Sequence, residues 1–170
     1  MANYKVIYNP KTYQNSRDVE QVIQYLTSPD KALEDGIIGG AVLPENAADA
    51  MNIVTDLYYN ERGPRIRHSV LSFSPHDPLT FKQIKAIARS CVDYYKDQYQ
   101  IIATIHKDCD HPHIHFAMCT TSHVDGSKYP GTKSDYFCLL KHLNQTVKPY
   151  GISVTAMKNW EDETLEDDRL

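Results

Sequence analysis

The chain has 170 residues, of which 41% are hydrophobic and 24% charged, a composition that excludes disordered and fibrous classes and fits one globular domain. No apolar run approaches the roughly 20 residues of a membrane span, and the N-terminus (MANYKVIYNPKTYQ) lacks the apolar core of a signal peptide. The formal net charge is −4, yet residues 161–170 hold six acids against one base, which leaves residues 1–160 with 17 Lys and Arg against 16 Asp and Glu. A near-neutral body excludes no nucleic-acid partner.

Residues 3–8 (NYKVIY) read as a first strand, ended by Asn9 and Pro10. The segment SRDVEQVIQYL is predicted helical, with Asn15 or Ser16 as N-cap and an apolar stripe of Val19, Val22, Ile23 and Leu26. At about 100° per residue Tyr25 falls roughly 110° from the centre of that stripe, on a rim where a ligand can reach it. Residues 36–43 (GIIGGAVL) suggest a second strand with a glycine-marked irregularity, and residues 45–59 a second helix. The basic segment GPRIR leads into the strand IRHSVLSFS. Pro78, Leu79 and Thr80 open a helix through about Tyr99 whose apolar face is Phe81, Ile84, Ile87, Ala88, Cys91 and Val92. QIIATIH and HPHIHFAMCT read as two more strands, SDYFCLLKHLNQTVKPYG as a closing helix and ISVTAM as a last strand. The expected fold class is α+β, a central, largely antiparallel sheet of about five strands flanked by helices. Residues 1–158 form the expected domain and 159–170 an acidic, flexible tail. Four cysteines (Cys91, Cys109, Cys119, Cys138) make no CxxC pair, which suits free thiols in a cytoplasmic protein with no membrane association.

The most informative stretch is IHKDCDHPHIHFAM, residues 105–118. Alternation along a strand puts His113, His115, Ala117 and Cys119 on one side and the larger Ile114, Phe116 and Met118 on the other, which takes the core. The two histidines then point together from the opposite face. Antiparallel pairing with QIIATIH brings His106 beside them, giving a three-nitrogen metal site with open positions. Asp108 and Asp110, in the connecting turn, are placed to hydrogen-bond a ligand imidazole from its far side. His111 falls off the alternation and reads as a turn residue, Cys109 as a soft-metal ligand or a spectator, and Cys119 as small packing. HExxH, HxE with PCxxC, GxSxG, P-loop and GxGxxG patterns are all absent. A cation held by neutral ligands keeps its full charge, which suits an anionic substrate such as a phosphodiester.

The stretch HKDCDHPHIH closely resembles the metal motif of relaxases, the MobA-type mobilization nucleases of the HUH endonuclease superfamily. VEQVIQYLTSPDK resembles the family segment in which a helix presents the nucleophilic tyrosine before a Pro-Asp/Glu-Lys run, and Tyr25 holds that place here. RIRHSVLSFSPHDPLT is similar to the central motif of a histidine-bearing strand followed by Ser-Phe, and HVDGSKYPGTKSDYFCLLKHLNQTVKPYGISV to the closing helix and Tyr-Gly-Leu/Ile ending. The matches span residues 4 to about 155 in the family's order. Tyr25 precedes the histidine strand, the circular permutation of relaxases rather than that of rolling-circle replication initiators. FAMCTT stands where the family often has an asparagine.

The resemblance implies an HUH endonuclease fold and site- and strand-specific nicking and rejoining of single-stranded DNA at a plasmid or mobile-element transfer origin. Tyr25 would attack a phosphodiester to give a 5′-phosphotyrosine and a free 3′-OH. It implies Mn²⁺ or Mg²⁺ as the working ion, while three imidazoles also suit Zn²⁺, Ni²⁺ or Co²⁺. Asp110, ahead of Asp108, is the candidate to orient a ligand histidine, and His68 and Ser72 are candidates to line the site. Arg62, Arg65, Arg67, Lys128 and Lys133 are candidate phosphate contacts, against the plainer expectation of a solvated basic surface. The expected partners are single-stranded DNA and accessory relaxosome proteins, with the chain itself monomeric. A replication initiator sharing the same chemistry, and a catalytically silent DNA-binding module, are the competing expectations.

Overall fold

The computed structural model describes residues 1–7, 11–60, 62–107 and 111–156. In chain order its elements are β1 (Ala2–Ile7), α1 (Ser16–Thr27), β2 (Ala32–Gly40), α2 (Ala47–Leu57), β3 (Ile66–Ser72), α3 (Phe81–Tyr95), β4 (Ile101–His106), β5 (His113–Cys119), α4 (Lys133–Val147) and β6 (Val154–Ala156). Short 3-10 turns at Pro44–Asn46 and Lys148–Tyr150 precede α2 and follow α4.

Three of these helices start by the same local device. Asn15, Thr80 and Thr132 each accept a hydrogen bond from the backbone N–H three residues on, and Asp18, Gln83 and Asp135 reach back to the cap. Each such capping box satisfies two N–H groups the helix cannot, and a single cap is worth about 1 kcal/mol. After the last helix Gly151 adopts φ 70°, the left-handed conformation that turns the chain back toward the sheet.

The six strands run in the order β2-β4-β5-β3-β1-β6. Neighbours are antiparallel except β6, which lies parallel to β1 with Ala2 opposite Val154. The expected α+β architecture is present, with the sixth strand added at the edge. Where β2 starts was not predictable from pattern. Its first half (ALEDG) is polar because it borders solvent, yet it pairs, with Ala32 opposite His106 and a register shift before Ile37. The third helix ends at Tyr95 rather than Tyr99, and one further turn carries Tyr99 back into the core. Phe81, at the first position of α3, lies beyond the end of that core and is 40% exposed.

The sheet is a middle layer. Ile114, Phe116 and Met118 of β5 pack under α3 and α4, against Ile87, Val92, Leu139 and Leu143 among others. The opposite face carries a second core, in which Ile66, Ile102, Ala117 and Cys119 meet Val19, Val22, Ile23 and Leu26 of α1 and Ala47 and Met51 of α2. The predicted α1 stripe is thus buried residue for residue. This second core reaches Ala117 and stops, so the His113 end of β5 is left for other chemistry.

Candidate metal centre

β4 and β5 pair with His106 opposite His113 and Thr104 opposite His115. Directly opposed residues share a face, and so do alternate residues along one strand. The three imidazoles therefore converge, with ring centroids 5.4 Å apart for His106 and His113, 4.3 Å for His106 and His115, and 5.0 Å for His113 and His115. One nitrogen from each lies within 4.8 Å of the others. His106 and His115 are buried and His113 is half-buried.

Each ring is also held from behind. His106 Nε2 lies 2.9 Å from the carbonyl oxygen of Leu26, which can only accept, so Nε2 carries the hydrogen and Nδ1 the lone pair. Leu26 belongs to the last turn of α1, where carbonyls lack a helical partner. By the same logic His113 Nδ1 donates to the carbonyl of His111 at 3.1 Å, and its lone pair sits on Nε2. His115 Nδ1 is 2.9 Å from Nε2 of His68. Three neutral nitrogens on rigid strands, each ring fixed through its other nitrogen, make a donor set that fits a divalent ion of intermediate softness.

His68 reaches this place because β3 sets it opposite Ala117, diagonal to His115. Burial, with a smaller contribution from nearby His106, pushes its pKa down to about 4. On its far side His68 Nδ1 is 3.0 Å from the Tyr13 hydroxyl. Tyr13 itself sits at φ 64°, and burial raises the pKa of its phenol. Ser72 lies on the same face, opposite His113 in register and half-buried.

Tyr25 stands at the rim, 45% exposed, as its place off the α1 stripe predicts. Its ring is edge-on to His106 and His115, with centroids 6.0 and 6.2 Å away. Lys31 Nζ lies over the Tyr25 ring, 4.6 Å from its centroid. Lys5 shares the histidine face, since β1 sets it opposite Val70, itself opposite His115. Sequence reasoning did not single out either lysine. For Lys31 the signal was its place in the Pro-Asp-Lys run, and for Lys5 its alternation with the buried Tyr4 and Val6. No local pattern joins Tyr13 to His68, 55 residues away.

The basic candidates are not brought to the triad. Asp108, Asp110 and Cys109 lie outside the described residues, as does the stretch 159–170. Arg65 is buried and binds Asp56 at 2.9 Å and Asn52 at 3.3 Å. Arg67 points to the opposite face of the sheet, beside Met118, with its guanidinium 5.2 Å from the Tyr129 ring centroid. Lys128 is half-buried, reaches the Asn60 carbonyl at 3.5 Å, and has its pKa lowered by burial. Arg62 is exposed, four residues ahead of Ile66, which pairs with Cys119 at the end of β5 away from His113. Lys133 opens α4, exposed. Among the described residues no helix is long and apolar enough to cross a membrane.

Residues 25–152 match the family described as "Relaxase: MobA/VirD2-like, nuclease domain". Two curated relatives, both described as "Group II intron-interrupted relaxase LtrB", come from Lactococcus lactis subsp. cremoris strain MG1363 and from Lactococcus lactis subsp. cremoris. Each is 22% identical to this chain over 177 residues, an alignment that covers 88% of the chain and 30% of the relative. The chain thus spans less than a third of the length of these relatives.

Proposed function

The chain belongs to the relaxase family of MobA/VirD2-like nuclease domains, and from that premise we propose that it nicks and rejoins single-stranded DNA at a transfer origin, with Tyr25 as the nucleophile. The observation that carries this reading is the edge-on approach of the Tyr25 ring to two members of the histidine triad. A tyrosine at the exposed rim of a three-imidazole cluster meets the need of a phosphoryl transfer, a nucleophile beside a site that can neutralise developing charge.

His106, His113 and His115 would hold the divalent ion. When bound, the ion supplies a full positive charge against a non-bridging phosphate oxygen, which polarises the phosphorus. Mn²⁺ or Mg²⁺ is the working ion that the family implies. The donor set accepts Zn²⁺, Ni²⁺ or Co²⁺ as well, so metal content after purification does not identify it.

The chain's own residues do the rest. The Tyr25 hydroxyl oxygen forms a bond to phosphorus, the bond from phosphorus to the 3′ oxygen breaks, and that oxygen leaves as a 3′-OH with a proton in place of the one the phenol gives up. The 5′ phosphate remains esterified to Tyr25, and attack by a 3′-OH in the reverse direction rejoins a strand without an external energy source. Lys31, 4.6 Å from the Tyr25 ring centroid, would bring a second cation to the incoming phosphate and to the phenol as it loses its proton.

The test is a library of single-stranded oligonucleotides incubated with Mn²⁺ and scored for covalent protein–DNA adducts. We expect adducts at a restricted set of sequences, and none with Tyr25→Phe. Adducts of undiminished yield in Tyr25→Phe would remove Tyr25 from the reaction.

A further inference from the structure

Two of the three triad rings are fixed by backbone carbonyls, His106 by Leu26 and His113 by His111. The third is not. His115 meets another imidazole, and an imidazole can present either a donor or an acceptor. A ring held in that way is ambiguous unless something further along settles which nitrogen of His68 carries the hydrogen.

Tyr13 is in position to do so. Its hydroxyl lies 3.0 Å from His68 Nδ1, with the rings at 82° and 6.0 Å. Two independent features hold the hydroxyl there. Tyr13 adopts a positive φ of 64°, and its carbonyl accepts from the backbone N–H of Arg65, just ahead of β3. His68 is buried, and among the described residues its two ring nitrogens meet Tyr13 and His115.

We propose that Tyr13 and His68 are positioning residues that set the tautomer of His115, through an ordered chain in which His115 Nδ1–H donates to His68 Nε2 and His68 Nδ1–H donates to the Tyr13 oxygen. The proton count is consistent at each link. A neutral His68 has one hydrogen and one lone pair, and accepting at Nε2 requires the hydrogen on Nδ1. The Tyr13 oxygen can accept that hydrogen bond while keeping its own hydrogen. With Nδ1 of His115 protonated, its lone pair is confined to Nε2, so all three triad rings present one defined lone-pair nitrogen before any ion arrives. This inference rests on the metal-site reading above and adds residues outside the triad to it.

Metal affinity and imidazole spectroscopy test it without recourse to activity. Wild type, His68→Leu, His68→Gln and Tyr13→Phe are titrated with Mn²⁺ and Ni²⁺ against a competing chelator, and their folding is checked by thermal unfolding. His68→Leu removes the acceptor and is expected to weaken binding by about 10–100-fold. His68→Gln keeps an acceptor oxygen and should recover most of that loss, and Tyr13→Phe should weaken binding less than His68→Leu. In the metal-free protein, long-range ¹H–¹⁵N spectra should show His115 as the Nδ1–H tautomer in wild type and as a mixture in Tyr13→Phe, a measurement that stands even if His68→Leu does not fold. A wild type that binds no ion would sink the metal-site reading itself. A wild type that binds, with Tyr13→Phe and His68→Leu equal to it in affinity and in His115 tautomer, would overturn this inference alone.

Discussion

His106 Nε2 donates to the carbonyl of Leu26 across 2.9 Å, and Leu26 is the chain neighbour of Tyr25. One hydrogen bond thus fastens the last turn of the helix that carries the tyrosine to the strand that carries a triad histidine. The bond is buried, with Leu26 0% and His106 2% exposed. His106→Ala leaves the Leu26 carbonyl without this donor, so it should cost about 1–3 kcal/mol of stability in urea unfolding as well as the metal site. Unchanged stability in that variant would show that the bond does not anchor α1.

The triad should make folding stability depend on metal. At a free ion concentration 100 times the dissociation constant, binding to the native state alone adds about 2.7 kcal/mol. Mn²⁺ or Ni²⁺ should therefore raise Tm in wild type, and EDTA should reverse the rise. His113 is half-buried, so His113→Ala should fold and lose the metal-dependent rise. Retention of the full rise in His113→Ala would exclude the triad as the site.

Lys31 and Tyr25 make a second test of the rim. A cation over an exposed ring is worth about 0.5–1 kcal/mol, so loss of that contact in Lys31→Met should cost about this much stability. It should slow adduct formation about tenfold, the effect of about 1.4 kcal/mol on a barrier, while Lys31→Arg keeps most of the rate. Single-turnover kinetics with an oligonucleotide that wild type cleaves would show whether the cation contributes or only packs.

Buried His68 predicts an acid-side loss of stability in the metal-free protein. Its pKa falls from the ordinary 6.5 to about 4 on folding, so between those values the unfolded chain binds the extra proton. Stability is then full above pH 6.5 and declines as pH falls toward 4, by a total on the order of 3 kcal/mol from this group. Urea midpoints at pH 7, 5.5 and 4.5 should drop in wild type and drop less in His68→Gln. Parallel declines in the two proteins would assign the acid sensitivity elsewhere.

The parts of the site that were legible in the sequence are those fixed by local periodicity. His106, His113 and His115 sit on one hairpin, where alternation and antiparallel pairing decide which side chains meet. Tyr25 was legible because the α1 stripe defines its own exposed side. The contact between Tyr13 and His68 was not, since it depends on how a loop before α1 settles against β3. Arg65 shows the opposite difficulty. A basic residue beside Gly and Pro reads as solvent-facing, yet Asp56 and Asn52 of the preceding helix α2 draw its guanidinium inward. The polar opening of β2 was unreadable for a related reason, because an edge strand needs no apolar alternation to pair.

The halting of the second core at Ala117 fixes the direction from which a polymer can reach the triad. With α1 and α2 roofing the Cys119 half of β5, no long chain can lie lengthwise along that strand on the histidine side. Among the described residues the open lane runs crosswise instead, over His113, Ser72 and Asn3, which stand abreast with buried His106 on four adjacent strands. Tyr25 overlooks one end of this lane, and β6, where Thr155 lies opposite Asn3, forms the other. A strand threaded through it meets the sheet at a steep angle to the β-strands, and only a short span of nucleotides lies over the reacting centre at one time.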